Sequence, residues 1–125
     1  MKVLFVEDDP MNRRVVKAML EVAGAPMDEA DSGAAGLAMV DREAYDLILM
    51  DLRMPGMDGI TAIQKIRERG DDKGKAPIIV VTADTAPDLR AACIAAGAND
   101  FMMKPVAMNA LFDMIARILV EGAEG

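Results

Sequence analysis

Three short runs constrain this chain most. Val3-Leu4-Phe5-Val6, Leu47-Ile48-Leu49-Met50 and Ile78-Ile79-Val80-Val81 are apolar at every position, and each gives way at once to polar residues. A run of that length with no wet face reads as a strand buried on both sides, the situation of a parallel strand sandwiched between helices. The first run ends in Glu7-Asp8-Asp9-Pro10, the second in Asp51, the third in Thr82. In open α/β sheets ligands bind beyond the carboxyl ends of the strands, so these side chains stand at the edge used for chemistry.

The segments between the runs read as helices. Asp9 caps a first helix that has Pro10 at its first position and runs to about Ala23, with Val15, Met19 and Val22 among its apolar face, and Gly24 ends it. Residues 26–30 form a second strand interrupted by Asp28 and Glu29, and its opening proline assigns it to a sheet edge. Ser32-Gly33 starts a second helix reaching about Arg42, with Leu37 and Val40 inward. Asp58-Gly59 shapes the turn that opens a third helix, whose Ile60, Ile63 and Ile66 share one buried face and which Gly70 stops. Residues 70–76 then form a polar surface loop with no core contribution. Thr85 and Asp88 have capping-box spacing for a fourth helix that Gly97 closes. Residues 99–103 make a fifth strand ending at Lys104-Pro105. The last helix runs from Met108 to about Val120, with Leu111, Ile115, Ile118 and Leu119 at core spacing. Five strands alternating with five helices predict an α/β fold, a doubly wound parallel sheet with right-handed crossovers.

At 125 residues the chain makes one domain, expected over 1–121 with a flexible tail over 122–125. With three Phe, one Tyr and no Trp, the core is left to aliphatic residues and to some of the 12 Met, which act as gap-fillers. The net charge of −7 and the absence of histidine disfavour direct contact with nucleic acid or an anionic membrane, and remove histidine from catalysis and metal binding. Cys93 stands alone, so no internal disulfide forms; its expected role is a small apolar helix residue, and a reducing, cytoplasmic location is expected. The apolar start, residues 1–6, is too short for a signal peptide. The Met1 start favours a lone protein that carries no output domain.

Four motifs, Val6-Glu7-Asp8-Asp9, the stretch from Met50 through Asp51-Leu52-Arg53-Met54-Pro55-Gly56-Met57-Asp58 to Gly59, Thr82-Ala83, and Lys104-Pro105, occur in order on the expected elements. Together they resemble the response-regulator receiver domain, of the chemotaxis-regulator kind, and the likeness extends over the whole chain. The resemblance implies a flavodoxin-like five-stranded sheet in the order 2-1-3-4-5. It also implies a phosphoacceptor in a two-component system or phosphorelay. Asp51 would take phosphoryl from the phosphohistidine of a histidine kinase or histidine phosphotransfer protein. Such a domain is not an enzyme on an outside substrate; it catalyses its own phosphorylation and dephosphorylation.

The chemistry follows from the residue types. Three carboxylates gathered at one place repel one another unless a cation neutralises them, and an all-oxygen set suits Mg²⁺. Asp8 and Asp51 are the expected direct ligands, with the Arg53 backbone carbonyl as a third; by the resemblance, Glu7 acts through a water on the metal. Lys104 pairs with one phosphoryl oxygen, and the Thr82 hydroxyl donates to another. The resemblance makes Phe101 the switch aromatic, coupled to Thr82, and sends the signal to a partner on the face of the fourth helix, fifth strand and fifth helix, at residues such as Arg90, Met102 and Asp113. Arg53 and Asp84, two residues beyond Asp51 and Thr82, are expected to meet across the opening and to tune the lifetime of the phosphoryl group. The Lys104–Pro105 peptide is expected to be cis, so that the lysine points back into the site while the chain leaves for the last helix. Asp9 is read as a helix cap.

Three rival functions share the fold or the aspartate. A flavin mononucleotide binder would want Ser, Thr and Gly in the first loop, where Glu7-Asp8-Asp9 repels phosphate. A hydrolytic phosphatase of the aspartate-nucleophile type would carry an acid two residues after the nucleophile, and Arg53 is there. A phosphorylation-independent receiver-like scaffold is the alternative, although such proteins usually lose an acid, the Thr or the Lys, and none is lost here.

Overall fold

The structure, a computed structural model, describes the backbone of residues 1–124 and the side chains of residues 1–120. Strands β1 (Val3–Val6), β2 (Met27–Ala30), β3 (Leu47–Met50), β4 (Ile78–Thr82) and β5 (Asp100–Met103) form one sheet in the order β2-β1-β3-β4-β5. All four pairings are parallel, and β1 sits between β2 and β3 in full register, Val3 to Val6 against Met27 to Ala30 and Leu47 to Met50. Helices α1 (Pro10–Val22), α2 (Gly33–Arg42), α3 (Gly59–Arg67), α4 (Leu89–Ala96) and α5 (Met108–Glu124) alternate with the strands. This is the expected flavodoxin-like fold, with β2 at the edge.

Because strand side chains alternate between faces, each all-apolar run feeds two cores at once. Leu4, Val6, Ile48, Met50, Ile78 and Val80 pack on one side with Val40 of α2, Ile63 and Ile66 of α3 and Cys93 of α4. Val3, Phe5, Leu47, Leu49, Ile79 and Val81 pack on the other with Val16 and Leu20 of α1 and Leu111, Ile115 and Ile118 of α5. Full burial of each large aliphatic side chain is worth about 1.5–3 kcal/mol. The two cores hold the strand ends, and the loops that leave them, in one fixed frame.

The structure revises several local expectations. On α1 the buried residues are Val16 and Leu20, whereas Val15 and Val22 face solvent. The helix carries apolar residues on two stripes, and the stripe that reaches Phe5 and Leu49 wins. On α5, Leu111, Ile115 and Ile118 are buried but Leu119 is exposed, being one position off the stripe. Helix α4 starts at Leu89, preceded by Asp88 in the left-handed region (φ 65) with no side-chain cap bond, so the Thr85/Asp88 capping box does not form. That box would need Ala86 helical directly before Pro87, which the proline ring disfavours. Residues 70–76 contribute to the interior after all: Asp72–Lys75 is a 3₁₀ turn, Gly74 is buried and Ala76 joins the core. The cause is Arg67, whose half-buried guanidinium donates to the carbonyls of Gly74 (2.8 Å), Ala76 (2.7 Å) and Gly97 (2.9 Å) and to Asn99 Oδ1 (2.9 Å). Met102 is buried under α5, so Met103 is the exposed methionine of β5. Helix α5 continues past Val120 to Glu124, where the sequence reading placed the 122–125 tail; Gly125 lies outside the described residues. Among the described residues no helix is long and apolar enough to cross a membrane.

Candidate functional site

The sheet's hydrogen bonding runs one residue past several strands and ends on the polar side chains. Glu7 N–H donates to Ala30 O (2.9 Å), Asp51 N–H to Val6 O (3.0 Å) and Lys104 N–H to Thr82 O (2.8 Å). Each of these residues therefore begins a loop while its backbone still belongs to the sheet. The loop after β3 is held from the other side by α3. Asp58 caps that helix by accepting from Thr61 N–H (2.8 Å), and Gly59 N–H donates to Leu52 O (2.9 Å). A Cβ at Gly59 would lie 2.2 Å from Asp51 O, so only glycine lets the helix start approach the acid's backbone this closely.

Five predicted side chains meet in a cleft of about 440 Å³: Glu7, Asp8, Asp51, Thr82 and Lys104, with Arg53 and Asp84 at its mouth. Glu7 is fully buried, Asp51 and Thr82 nearly so, and Asp8 is exposed. Asp51 Oδ1 accepts from Leu52 N–H (2.8 Å), and Oδ2 lies 3.5 Å from Lys104 Nζ. Lys104 donates to Glu7 Oε1 at 2.5 Å. The other oxygen, Glu7 Oε2, is buried without a hydrogen-bond partner. Burial first, and then the neighbouring Asp51 carboxyl, push the Glu7 acid up from the ordinary carboxylate range, against the opposing pull of Lys104. Burial alone would lower the Lys104 ammonium, but the hydrogen bond to Glu7 and the charges of Asp51 and Glu7 outweigh it, and the net shift is upward.

One oxygen from each of Glu7, Asp8 and Asp51 lies within 4.8 Å of the others. Hard carboxylate donors only, together with a buried carboxylate oxygen lacking a partner, fit a small divalent cation such as Mg²⁺. The chain offers no histidine for a softer metal.

At the mouth, Arg53 Nε donates to Asp84 Oδ2 (2.8 Å), and its Nη2 bonds the same oxygen. The Arg53 guanidinium, and next the Ala86 N–H on Oδ1 (2.9 Å), hold the Asp84 carboxyl below its usual range. The pair borders both the cleft and an adjoining cavity lined by Leu52, Met54, Pro55, Ile60 and Leu89. Thr82 Oγ1 accepts from Asp84 N–H (3.1 Å), which leaves the hydroxyl proton free to donate. Phe101 stays outside the cleft, half-buried against the core on the α2–α4 side of the sheet. Asp9 accepts from Met11 N–H (2.9 Å) as the cap of α1. The Lys104–Pro105 peptide is cis.

Sequence reasoning missed two residues of the first turn of α1. Asn12 Nδ2 donates to Glu7 Oε1 (2.9 Å), and Arg13 Nη1 donates to the Glu7 carbonyl (2.7 Å). The signal was available: polar side chains in the first turn after an acidic loop can reach back to it.

The chain is similar to known proteins over nearly its whole length. The chain is 34% identical over 118 residues to the sensor protein GacS of Pseudomonas syringae pv. syringae, a match covering 93% of this chain but only 13% of that protein. It is 41% identical over 120 residues to the two-component response regulator ORR41 of Oryza sativa subsp. japonica, covering 93% of this chain and 92% of the relative. Among solved structures, the receiver domain of the sensor histidine kinase PA1611 from Pseudomonas aeruginosa PAO1 superposes with a TM-score of 0.83 at 36% identity, covering 93% of this chain and 94% of that one. That structure has a magnesium ion coordinated in its active-site cleft. Residues 3–116 match the family described as the response regulator receiver domain, and the chain belongs to that family as a phosphoacceptor of two-component signalling.

Proposed function

We propose that Asp51 is the residue phosphorylated, and that residues 1–121 act as one receiver unit. The donor is the phosphohistidine of a histidine kinase or histidine phosphotransfer protein. An Asp51 carboxylate oxygen attacks the phosphorus, the P–N bond to the donor imidazole breaks, and the imidazole leaves. Asp8, Asp51 and the Arg53 carbonyl are the groups to hold Mg²⁺ directly, and Glu7 is the acid facing its hydration shell. Mg²⁺, when bound, neutralises charge on the transferring oxygens. Lys104 is drawn from Glu7 and Asp51 to a phosphoryl oxygen, and the Thr82 hydroxyl donates to another. Thr82 then moves toward the site, and Phe101 follows into the space this opens. That biases an existing two-state equilibrium of the face made by α4, β5 and α5.

The observation that carries this reading is the convergence of three carboxylates, Glu7, Asp8 and Asp51, of which Glu7 and Asp51 share the Lys104 ammonium and Glu7 keeps one buried oxygen without a partner. On the output face, Arg90, Met103 and Asp113 are the exposed residues for a downstream protein. The acidic surface argues against direct nucleic-acid or membrane contact and is consistent with a cytoplasmic setting. Transfer of labelled phosphate from a panel of the host's histidine kinases and phosphotransfer proteins tests the reading. Mg²⁺-dependent labelling that Asp51→Asn abolishes is expected; labelling that survives this substitution would overturn it. The same panel names the donor.

A further inference from the structure

The buried acid Glu7 is held by more than the lysine. Its Oε1 accepts from both Lys104 Nζ (2.5 Å) and Asn12 Nδ2 (2.9 Å), its carbonyl accepts from Arg13 Nη1 (2.7 Å), and its Oε2 accepts from nothing. Helix α1 is thereby fastened at its first turn to the residue that follows β1. Asn12 itself lines the cleft beside Glu7, Asp8 and Asp51.

The two donors on Oε1 differ in what they do next. Lys104 lies within 3.5 Å of Asp51 Oδ2 and carries a flexible ammonium, so a phosphoryl group on Asp51 competes for it. Once Lys104 turns to that group, Glu7 keeps only one of its two side-chain donors. A fully buried carboxylate with a single donor is free to rotate and exchange its two oxygens unless that donor holds one of them. Asn12 is a neutral amide whose side-chain bond goes to Glu7, and a phosphoryl group draws it less strongly than it draws the Lys104 ammonium.

Building on the phosphoacceptor reading above, we propose that Asn12 is a positioning residue for Glu7. Its amide fixes Oε1, leaves Oε2 as the oxygen available to the hydration shell of the cation, and keeps that hold after Lys104 has left. The effect is exerted on Mg²⁺ affinity through Glu7, and Asn12 touches neither the cation nor the phosphoryl group.

Calorimetric titration with MgCl₂ of the wild type, Asn12→Leu and Asn12→Gln tests this. Leucine keeps the volume and removes the donor, so its dissociation constant should rise about tenfold, the size of losing one hydrogen bond to a charged group; glutamine, which retains the amide, should restore most of the affinity. A second measurement needs no variant. In ¹⁵N spectra of the wild-type protein, the two Asn12 side-chain amide protons should stay widely split when Mg²⁺ and then beryllofluoride are added. Wild-type Mg²⁺ affinity in Asn12→Leu, with or without a lowered urea midpoint, would overturn the proposal, as would collapse of the Asn12 amide pair on adding the phosphoryl analogue. A wild-type protein that binds no Mg²⁺ would overturn the phosphoacceptor reading together with this one, and so separates the two failures.

Discussion

Arg67 and Lys104 are cations withdrawn from solvent at opposite edges of the same sheet, and their surroundings differ in kind. Arg67 sits where β4 and β5 begin; its planar fork is filled by three backbone carbonyls and the Asn99 amide oxygen, all neutral and all fixed. Lys104 sits where β5 ends, and its partners are two carboxylates, one of them carrying an orphan oxygen. Burial lowers the Arg67 guanidinium, whereas the acids around Lys104 win over burial and raise it. The first edge is a neutral joint in which four of the five guanidinium N–H donors are placed. The second gathers two acids on one ammonium and leaves an acid oxygen without a partner. Buried charge is therefore met by neutral groups at one end of the molecule and by acids at the other, and on the reading proposed above the first serves stability and the second chemistry.

The comparison breaks first at Arg67. Arg67→Ala leaves several carbonyls without donors and should lower the unfolding free energy by about 3 kcal/mol, and the melting temperature by roughly 10 °C. Urea and thermal melts check it, and a loss below about 1 kcal/mol would show that the joint is dispensable. Arg67→Lys should recover little, since an ammonium cannot fill the fork. Mg²⁺ affinity should be unchanged in both.

Lys104→Met should do the reverse. Its stability change should be about 1 kcal/mol, because a neighbouring acid already pushed up by burial can take a proton. Mg²⁺ should still bind, while beryllofluoride should no longer shift the amide resonances of α4, β5 and α5. A normal shift on that face would remove Lys104 from the mechanism. Asp8→Ala should abolish detectable Mg²⁺ binding and raise apo stability by about 0.5 kcal/mol as acid repulsion is relieved.

Arg53 and Asp84 carry the smallest stability effect and sharpen the comparison at the site's mouth. The Arg53 side chain is 77% exposed, so the pair is worth about 0–1 kcal/mol, and Arg53→Asn or Asp84→Ala should barely move the melting temperature. Timing phosphoryl loss with Mg²⁺ present should instead show faster decay in each variant and a double variant that is less than additive. Unchanged decay in all three would mean that the pair does not control water.

Much of this was legible in the sequence because the central strands have no wet face. Val3 to Val6, Leu47 to Met50 and Ile78 to Val81 can only be sheet interior, and once they are parallel neighbours the residues after them must share one edge. Glu7, Asp51 and Thr82 followed from that, and Lys104 from the fifth strand beside them. Helix faces were less readable: on α1, Val15 and Val16 are adjacent, and only the position of Phe5 and Leu49 selects Val16. The start of α4 was misread because a capping box competes with a proline inside it, and the steric rule for the residue before proline prevails. The Arg67 joint and the Asn12–Glu7 bond were not legible, since each is a contact between segments that periodicity does not relate.

The central claim is that the phosphoryl group forms on Asp51. Phosphorylating the protein with Mg²⁺ and a phosphohistidine donor, reducing the acyl phosphate with borohydride and mapping the product by mass spectrometry tests it directly. The account predicts that residue 51, and no other acid, is converted to homoserine, and that omitting Mg²⁺ abolishes the conversion. Homoserine at Asp8, Asp9 or another position with Asp51 intact would contradict it.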